Sequence, residues 1–302
     1  MSMLTAAALL VGVLAASVPT AVQSIGVCYG THGTGLPSAA DVVQLYRSNG
    51  IAGMRIYSPD TTILGALRGS GIAVIVDATN LDALVADAPG WVQANVLPYK
   101  DDVSFKYIAV GNEVEGANTH KILPDMQSLS DALSVAGLGG SIKVSTFLAG
   151  NGSPLLANIY PYFAYRDANG AIDLNFALFQ PSNTVVHDDG GRDYTNLFDA
   201  MADAMYSAME KEGGSGVPIV VSESGWPSGG GSTGGAETVE NARTYNQNLI
   251  NHVGNGTPKR SAPLETYIFA MFNENQKTGD ETEKHFGLFN GSDKSPVYPI
   301  SF

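Results

Sequence analysis

The chain is 302 residues long, 44 % hydrophobic and only 15 % charged, with 35 glycines and 13 tyrosines. That length exceeds the needs of one small domain and suits a single large α/β barrel with a full apolar core. A formal net charge of −13 repels phosphate backbones and anionic membrane surfaces, which argues against nucleic acid as a partner and leaves a neutral polymer acceptable.

In chain order, the first feature is a short apolar stretch, Leu4 to Ala16, followed by a more polar one ending at Ser24, with Val22 and Ser24 in the small-residue positions of a cleavage site. This reads as a secretory signal over 1–24, although no Lys or Arg precedes the apolar run. It is too short to span a bilayer. Eight short, unbroken apolar runs then alternate with amphipathic stretches. The first run, Ile25–Tyr29, holds the single cysteine, Cys28; no disulfide can form within the chain, and a buried small hydrophobe is its expected role. The helical stretch Ala39–Asn49 follows, then the run Gly53–Tyr57, the helix Thr62–Arg68, the run Ala73–Asp77 and the helix Trp91–Leu97. The fourth run, Tyr107–Val110, leads to a helix over Pro124–Ala136, with Pro124 in its first turn and Gly137 past its end. The fifth run is Ile142–Thr146 and the sixth is Leu155–Tyr160. Helix Asn196–Glu212, run Ile219–Ser222, helix Val239–Val253 and run Thr266–Phe272 complete the series.

Unbroken runs, as opposed to alternating ones, are what parallel strands covered on both faces require. Eight of them separated by helices predict a single (β/α)8 TIM barrel over 25–302. One interval breaks the rule. Only Phe147 to Pro154 separates the fifth run from the sixth, and a parallel crossover normally needs a dozen residues or more. Either the fifth crossover helix is missing, which is the expectation, or the fifth and sixth runs are not both barrel strands. The long interval Phe163 to Thr195 carries apolar pieces of its own and is expected to form a hairpin flap over the site.

In such a barrel the chemistry lies at the C-terminal ends of the strands. After the fourth run comes Gly111-Asn112-Glu113-Val114, after the seventh Glu223-Ser224-Gly225-Trp226-Pro227, and after the eighth Asn273-Glu274-Asn275-Gln276-Lys277. Tyr57 ends the second run, and Tyr160-Pro161-Tyr162-Phe163 ends the sixth. Acids stranded abruptly after apolar strands, with aromatic rings around them, suit glycoside cleavage. One carboxylic acid protonates the leaving oxygen, a second carboxylate attacks the anomeric carbon or activates water, and flat rings hold the sugars. The five histidines are scattered with no ligand spacing, so neither a metal nor another cofactor is expected. Ser222 stands where a nucleophile-elbow motif around Ser224 needs glycine, and the Gly229–Gly235 stretch lacks the Lys-Ser/Thr ending of a phosphate loop. Sequons for N-glycosylation start at Asn151, Asn255 and Asn290; Pro258 directly after the second sequon lowers its expected occupancy.

The motifs Ile25-Gly-Val-Cys-Tyr-Gly, Met54-Arg-Ile-Tyr, Val110-Gly-Asn-Glu-Val, Ala157-Asn-Ile-Tyr-Pro-Tyr-Phe, Val221-Ser-Glu-Ser-Gly-Trp-Pro-Ser and Phe269-Ala-Met-Phe-Asn-Glu-Asn-Gln-Lys resemble those of plant family-17 glycoside hydrolases, from Ile25 to Phe302. The resemblance implies Glu113 as acid/base and Glu223 as nucleophile, the first carrying the proton and the second ionised. It implies Glu274, Lys277 and Glu283 as a supporting ionic cluster, with Lys277 either holding Glu223 ionised or neutralising Glu274. It implies Tyr57, Asn112, Tyr160, Phe163 and Trp226 as substrate contacts. The implied activity is a retaining endo-β-1,3-glucanase acting on β-glucan; a mixed-linkage 1,3;1,4-β-glucanase and a catalytically impaired glucan-binding relative are the alternatives. Relatives carry roughly thirty more residues between the fifth and sixth strands. A monomer without a membrane anchor, secreted to the apoplast or cell wall for wall remodelling or defence, is the matching expectation.

Overall fold

The apolar runs fold as the parallel strands of one barrel-shaped sheet in the computed structural model, which describes residues 25–145, 152–232 and 235–302. In chain order the elements are β1 (Ile25–Tyr29), α1 (Ala39–Ser48), β2 (Gly53–Ile56), α2 (Thr61–Leu67), β3 (Ala73–Ala78), α3 (Leu81–Asn95), β4 (Ser104–Val110), α4 (Thr119–Val135), β5 (Lys143–Ser145), β6 (Leu155–Asn158), α5 (Pro161–Asp167), α6 (Leu174–Ala177), β7 (Val186–His187), β8 (Asp193–Tyr194), α7 (Leu197–Lys211), β9 (Ile219–Ser224), α8 (Val239–His252) and β10 (Thr266–Ile268). The eight-stranded sheet runs β5-β4-β3-β2-β1-β10-β9-β6, and each neighbouring pair is parallel. β5 and β6 are its two ends, so the barrel is nearly closed, with a seam where the sequence leaves no room for a crossover helix. The Ser145 hydroxyl donates to the Pro154 carbonyl across that interval.

Side chains fill the barrel to its floor. Tyr267 of β10 lies across the N-terminal end, and a Cβ on Gly26 would stand 2.2 Å from its ring. Its hydroxyl donates to Glu265, which also accepts from Tyr107 and from Lys106 at 2.8 Å. With the floor plugged, the open end is the C-terminal rim.

Several boundaries differ from the sequence reading. α3 begins at Leu81, ten residues earlier than expected, because two helices meet at a kink: Asp87 is non-helical at φ −156°, Pro89 follows, and Asp87 caps the second helix by accepting from the Gly90 amide. Its first half starts at the cap Asn80, whose side chain accepts from the Ala83 amide. α4 starts at Thr119, so Pro124 lies inside the helix and not in its first turn; the hydrogen bond it cannot donate leaves a carbonyl of the exposed preceding turn to solvent. The interval 163–195 is not all loop. Pro161 opens α5, α6 follows, and β7 and β8 pair as a two-residue antiparallel hairpin. That hairpin packs beside α7, with Tyr194 buried, and adds no residue to the rim cavity; the expected flap over the site is not formed by it. Residues 1–24, the sequon at Asn151 and most of the interval 147–154 lie outside the described residues.

Candidate active site

β4 delivers Glu113. After seven strand residues the chain turns through Gly111 at φ +73° and Glu113 at φ +51°. A left-handed backbone at a glutamate costs on the order of 1–3 kcal/mol and persists only where the surroundings impose it, a pattern concentrated at functional sites. The turn lifts the Glu113 side chain to the exposed mouth of the rim, where its Oε1 accepts from Asn158 Nδ2 at 3.1 Å. β9 delivers Glu223 from inside the strand, 5 % exposed, with Asn158 of β6 as its register partner.

Three donors fix the Glu223 carboxylate. Oε1 accepts from Arg55 Nη1 at 2.9 Å and from the Tyr57 hydroxyl at 2.8 Å; Oε2 accepts from the Tyr160 hydroxyl at 2.8 Å. Arg55 is itself buried and forked onto Asp77, with Nε to Oδ1 at 3.1 Å and Nη2 to Oδ2 at 2.7 Å. Its Nη2 also reaches Asn112 Oδ1 at 3.0 Å. Asn158 joins both sides of the site. Its amide donates to Glu113 and to Asn112 Oδ1, and its carbonyl oxygen accepts from Ser222 Oγ at 3.0 Å and from Arg55. Burial pushes the Glu223 carboxyl up from the ordinary carboxylate value, while Arg55 and the two tyrosine hydroxyls pull it down and Glu113 pushes it up. Burial likewise holds Tyr57 and Tyr160 well above the usual phenol range, so both remain O–H donors.

A cavity of about 590 Å³ opens over these groups. It brings together Glu113, Glu223, Tyr57, Asn112, Tyr160, Phe163, Glu274, Lys277 and Glu283, nine of the ten residues singled out from sequence. Trp226 is the correction. It is 0 % exposed, donates its indole N–H to the Ala236 carbonyl at 2.9 Å and packs against Tyr162, Tyr165 and Tyr245, so it shores up the rim from below instead of meeting substrate. Lys277 also differs from both readings. Its ammonium pairs with Glu283 at 2.9 Å and lies 4.3 Å over the Phe269 ring. The cation on Glu223 is Arg55, and Glu274 is held by the His32 amide at 2.8 Å.

Sequence reasoning missed Arg55, Asp77 and Asn158 as site residues, and Phe269 and Phe286 as aromatic lining. A signal existed for Asp77, another acid ending an apolar strand. Arg55 was visible as a lone cation inside an apolar run, where only a buried counter-charge keeps it tolerable. Cys28 donates its thiol to the Ser222 carbonyl at 3.3 Å, and burial pushes the thiol up, so it is packed and protonated. Among the described residues, no group of three or more His, Cys, Asp or Glu side chains is placed to hold a metal ion.

Comparison with known proteins bears on this geometry. The model of glycosyl hydrolases family 17 matches residues 25–149 and 145–302. Glucan endo-1,3-beta-glucosidase GII of Hordeum vulgare is 57 % identical over 330 positions, covering 98 % of this chain and 97 % of that protein. The acidic isoform of glucan endo-1,3-beta-glucosidase of Zea mays is 55 % identical over 98 % and 96 %. A chain from a study of two plant beta-glucan endohydrolases with distinct substrate specificities superposes with a TM-score of 0.87 at 46 % identity, covering 92 % of this chain and all of that one. The barley alignment spans 330 positions against 302 residues here, so at least 330 − 302 = 28 of them face no residue of this chain. The two family segments meet at 145–149, in the short interval between β5 and β6.

Proposed function

The chain belongs to glycosyl hydrolase family 17, and on that premise we propose that it is a secreted endo-β-1,3-glucanase that cleaves with retention of configuration. The observation carrying the proposal is one cavity in which Glu113 and Glu223, at the ends of β4 and β9, are both tied to Asn158 or its register, with the Glu223 oxygens held by Arg55, Tyr57 and Tyr160. The Hordeum vulgare and Zea mays relatives named glucan endo-1,3-beta-glucosidase support the linkage.

In the mechanism, Glu113 gives its proton to the glycosidic oxygen as the bond to the anomeric carbon breaks. Glu223, ionised and fixed, attacks that carbon from the opposite face and forms a glycosyl ester. Glu113 then removes a proton from water, which displaces Glu223 and regenerates both carboxyl states. Fixed donors on Glu223 keep the attacking oxygen in place without reorganisation, and the partly exposed ring of Phe163 gives the sugar an apolar wall, backed by the buried Phe286. The retaining route needs the two carboxyls about 5–5.5 Å apart. The segment 1–24 supplies the export reading, and among the described residues no helix is long and apolar enough to cross a membrane.

The test is hydrolysis of linear β-1,3-glucan and of mixed-linkage 1,3;1,4-β-glucan, with product sizing and early proton NMR of the released anomer. Short oligomers from the linear polymer, released first as the β-anomer, are expected. Glu223→Gln should lower turnover by about 10⁴-fold or more while binding persists. Products from the mixed-linkage polymer alone would move the protein to the activity named for Lichenase-2 of Hordeum vulgare, which is 47 % identical. An α-anomer released first would exclude the nucleophile role of Glu223.

A further inference from the structure

We infer that Asn255 carries an N-linked glycan, and that its first N-acetylglucosamine lies in a shallow surface pocket between α7 and α8, remote from the catalytic cavity. Asn255 is exposed just past the end of α8, in the sequence Asn255-Gly-Thr, and its side-chain amide has no hydrogen-bond partner among the described residues. Asn290, in the other described sequon, uses its Nδ2, the atom that would carry sugar, to bond Ser295 Oγ at 3.1 Å within a turn.

Asn255 itself lines a cavity of about 280 Å³ with Phe179, Thr195, Asn248, Asn251 and His252. That volume suits one pyranose ring, and the lining suits its chemistry. Phe179, half-buried and held at φ +57°, packs its ring 5.1 Å from His252 and offers an apolar wall. Polar atoms remain for hydroxyl and acetamido groups: Asn248 uses its Nδ2 on the Leu178 carbonyl, Asn251 uses its Oδ1 on Gln247, and His252 uses Nε2 on Asp199, leaving the opposite atom of each side chain open among the described residues. In the transfer, Asn255 Nδ2 bonds the anomeric carbon of an oligosaccharide carried on a lipid pyrophosphate. The bond from that carbon to the pyrophosphate breaks, and one amide proton leaves to solvent. In the folded chain the Thr257 hydroxyl is committed to Asp203, so the modification precedes folding of this segment. Pro258 slows the transfer, and partial occupancy is expected.

This inference rests on the export reading only for where the chain travels, so the test sends the full chain through a eukaryotic secretory host behind that host's own signal. Peptide mass spectrometry should find hexosamine on Asn255, absent in Asn255→Gln and more abundant in Pro258→Ala. Deuterium exchange of the α8 C-terminus should slow at least threefold in the glycosylated protein. Trimming to the single first sugar should keep that protection, and complete removal or Phe179→Ala should lose it. Hydrolysis of β-1,3-glucan should be unchanged in Asn255→Gln. An unmodified Asn255 overturns the assignment, and a modified Asn255 whose trimming and removal leave exchange equal overturns the seating.

Discussion

Arg55 lies inside the barrel at 2 % exposure, with Asp77 on one edge of its guanidinium and Glu223 on the other. Removing the cation leaves two buried carboxylates with nothing to offset their desolvation, so each holds its proton more tightly. Burial already pushes both Asp77 and Glu223 upward against the pull of Arg55. In the proposed mechanism Glu223 attacks only when ionised, so activity is present above its titration and lost as pH falls through it. Arg55→Met should therefore move the acid limb of kcat to higher pH by at least one unit and lower the maximum by about 10²-fold or more. It should also cost about 3–5 kcal/mol of unfolding free energy. A pH–rate profile beside a denaturant titration checks both, and an unmoved acid limb would separate Arg55 from the ionisation of Glu223. Glu113 and Glu223 were legible because an acid that ends an apolar strand has no core role. Arg55 was in view within Met54-Arg-Ile-Tyr, yet its partners stand 22 and 168 residues away, and only closure of the barrel brings them together. Trp226 misled for a related reason: an aromatic beside an acid at a strand end reads as a sugar platform until the fold shows that it is buried.

The helix pair α3 and α4 holds another buried acid, with a different consequence. Asp125 is fully buried, and neither of its carboxylate oxygens has a partner among the described residues. Two charged groups act on it. Lys121, one turn back on α4, is committed to Asp82 of α3 at 2.6 Å, and Asp82 brings a like charge. Burial pushes the Asp125 carboxyl above its ordinary value of 3.8, with Lys121 pulling it down and Asp82 pushing it up. The folded chain then binds this proton more tightly than the unfolded chain does. Stability from Asp125 is full below the ordinary value, falls as pH rises from there through the raised value, and is flat above it. Asp125→Asn removes the charge at constant shape and should raise the thermal midpoint by about 2–4 °C at pH 7, with the gain shrinking toward pH 4. Calorimetry across that range decides it; a gain that does not change with pH would refute the ionisation account. At this scale the sequence was read well where periodicity was unbroken, as in α1, α7 and α8. It was read poorly at α3, where the Asp87 kink splits one apolar pattern into two short ones, and at α4, where Pro124 imitates a helix start.

Across the whole molecule, the seam joins stability to chemistry. β6 is the least buried strand of the barrel, with Leu155, Leu156 and Asn158 all partly exposed, whereas β1, β2, β9 and β10 are buried throughout. The shortness of the connection between β5 and β6 was legible from spacing alone, since a parallel crossover with a helix normally takes a dozen residues or more. How the ends meet was not, because the contact of Ser145 with Pro154 follows from barrel curvature and not from any local pattern. A helix that buried a few hundred Å² of apolar surface against β5 and β6 would contribute several kcal/mol at about 25 cal/mol per Å². The thermal midpoint should accordingly lie on the order of 10 °C below that of the Hordeum vulgare relative, which carries the additional positions. The same seam separates β4, bearing Glu113, from β9, bearing Glu223, with β5 and β6 between them. Asn158 of β6 links its two sides, bonded to Glu113 and Asn112 on one and to Ser222 on the other. In a closed barrel such a bond would be one restraint among many; beside an open seam it holds a larger share of the carboxylate spacing. Asn158→Ala should therefore cut kcat by about 10²-fold, because a displacement near 1 Å costs that much, while the midpoint shifts by only a few degrees. Inserting the relative's additional segment between β5 and β6 should restore part of that kcat. Kinetics and melting of the single variant, the insertion and their combination form the measurement. If the insertion leaves the Asn158→Ala defect untouched, the seam does not set the spacing of the two glutamates.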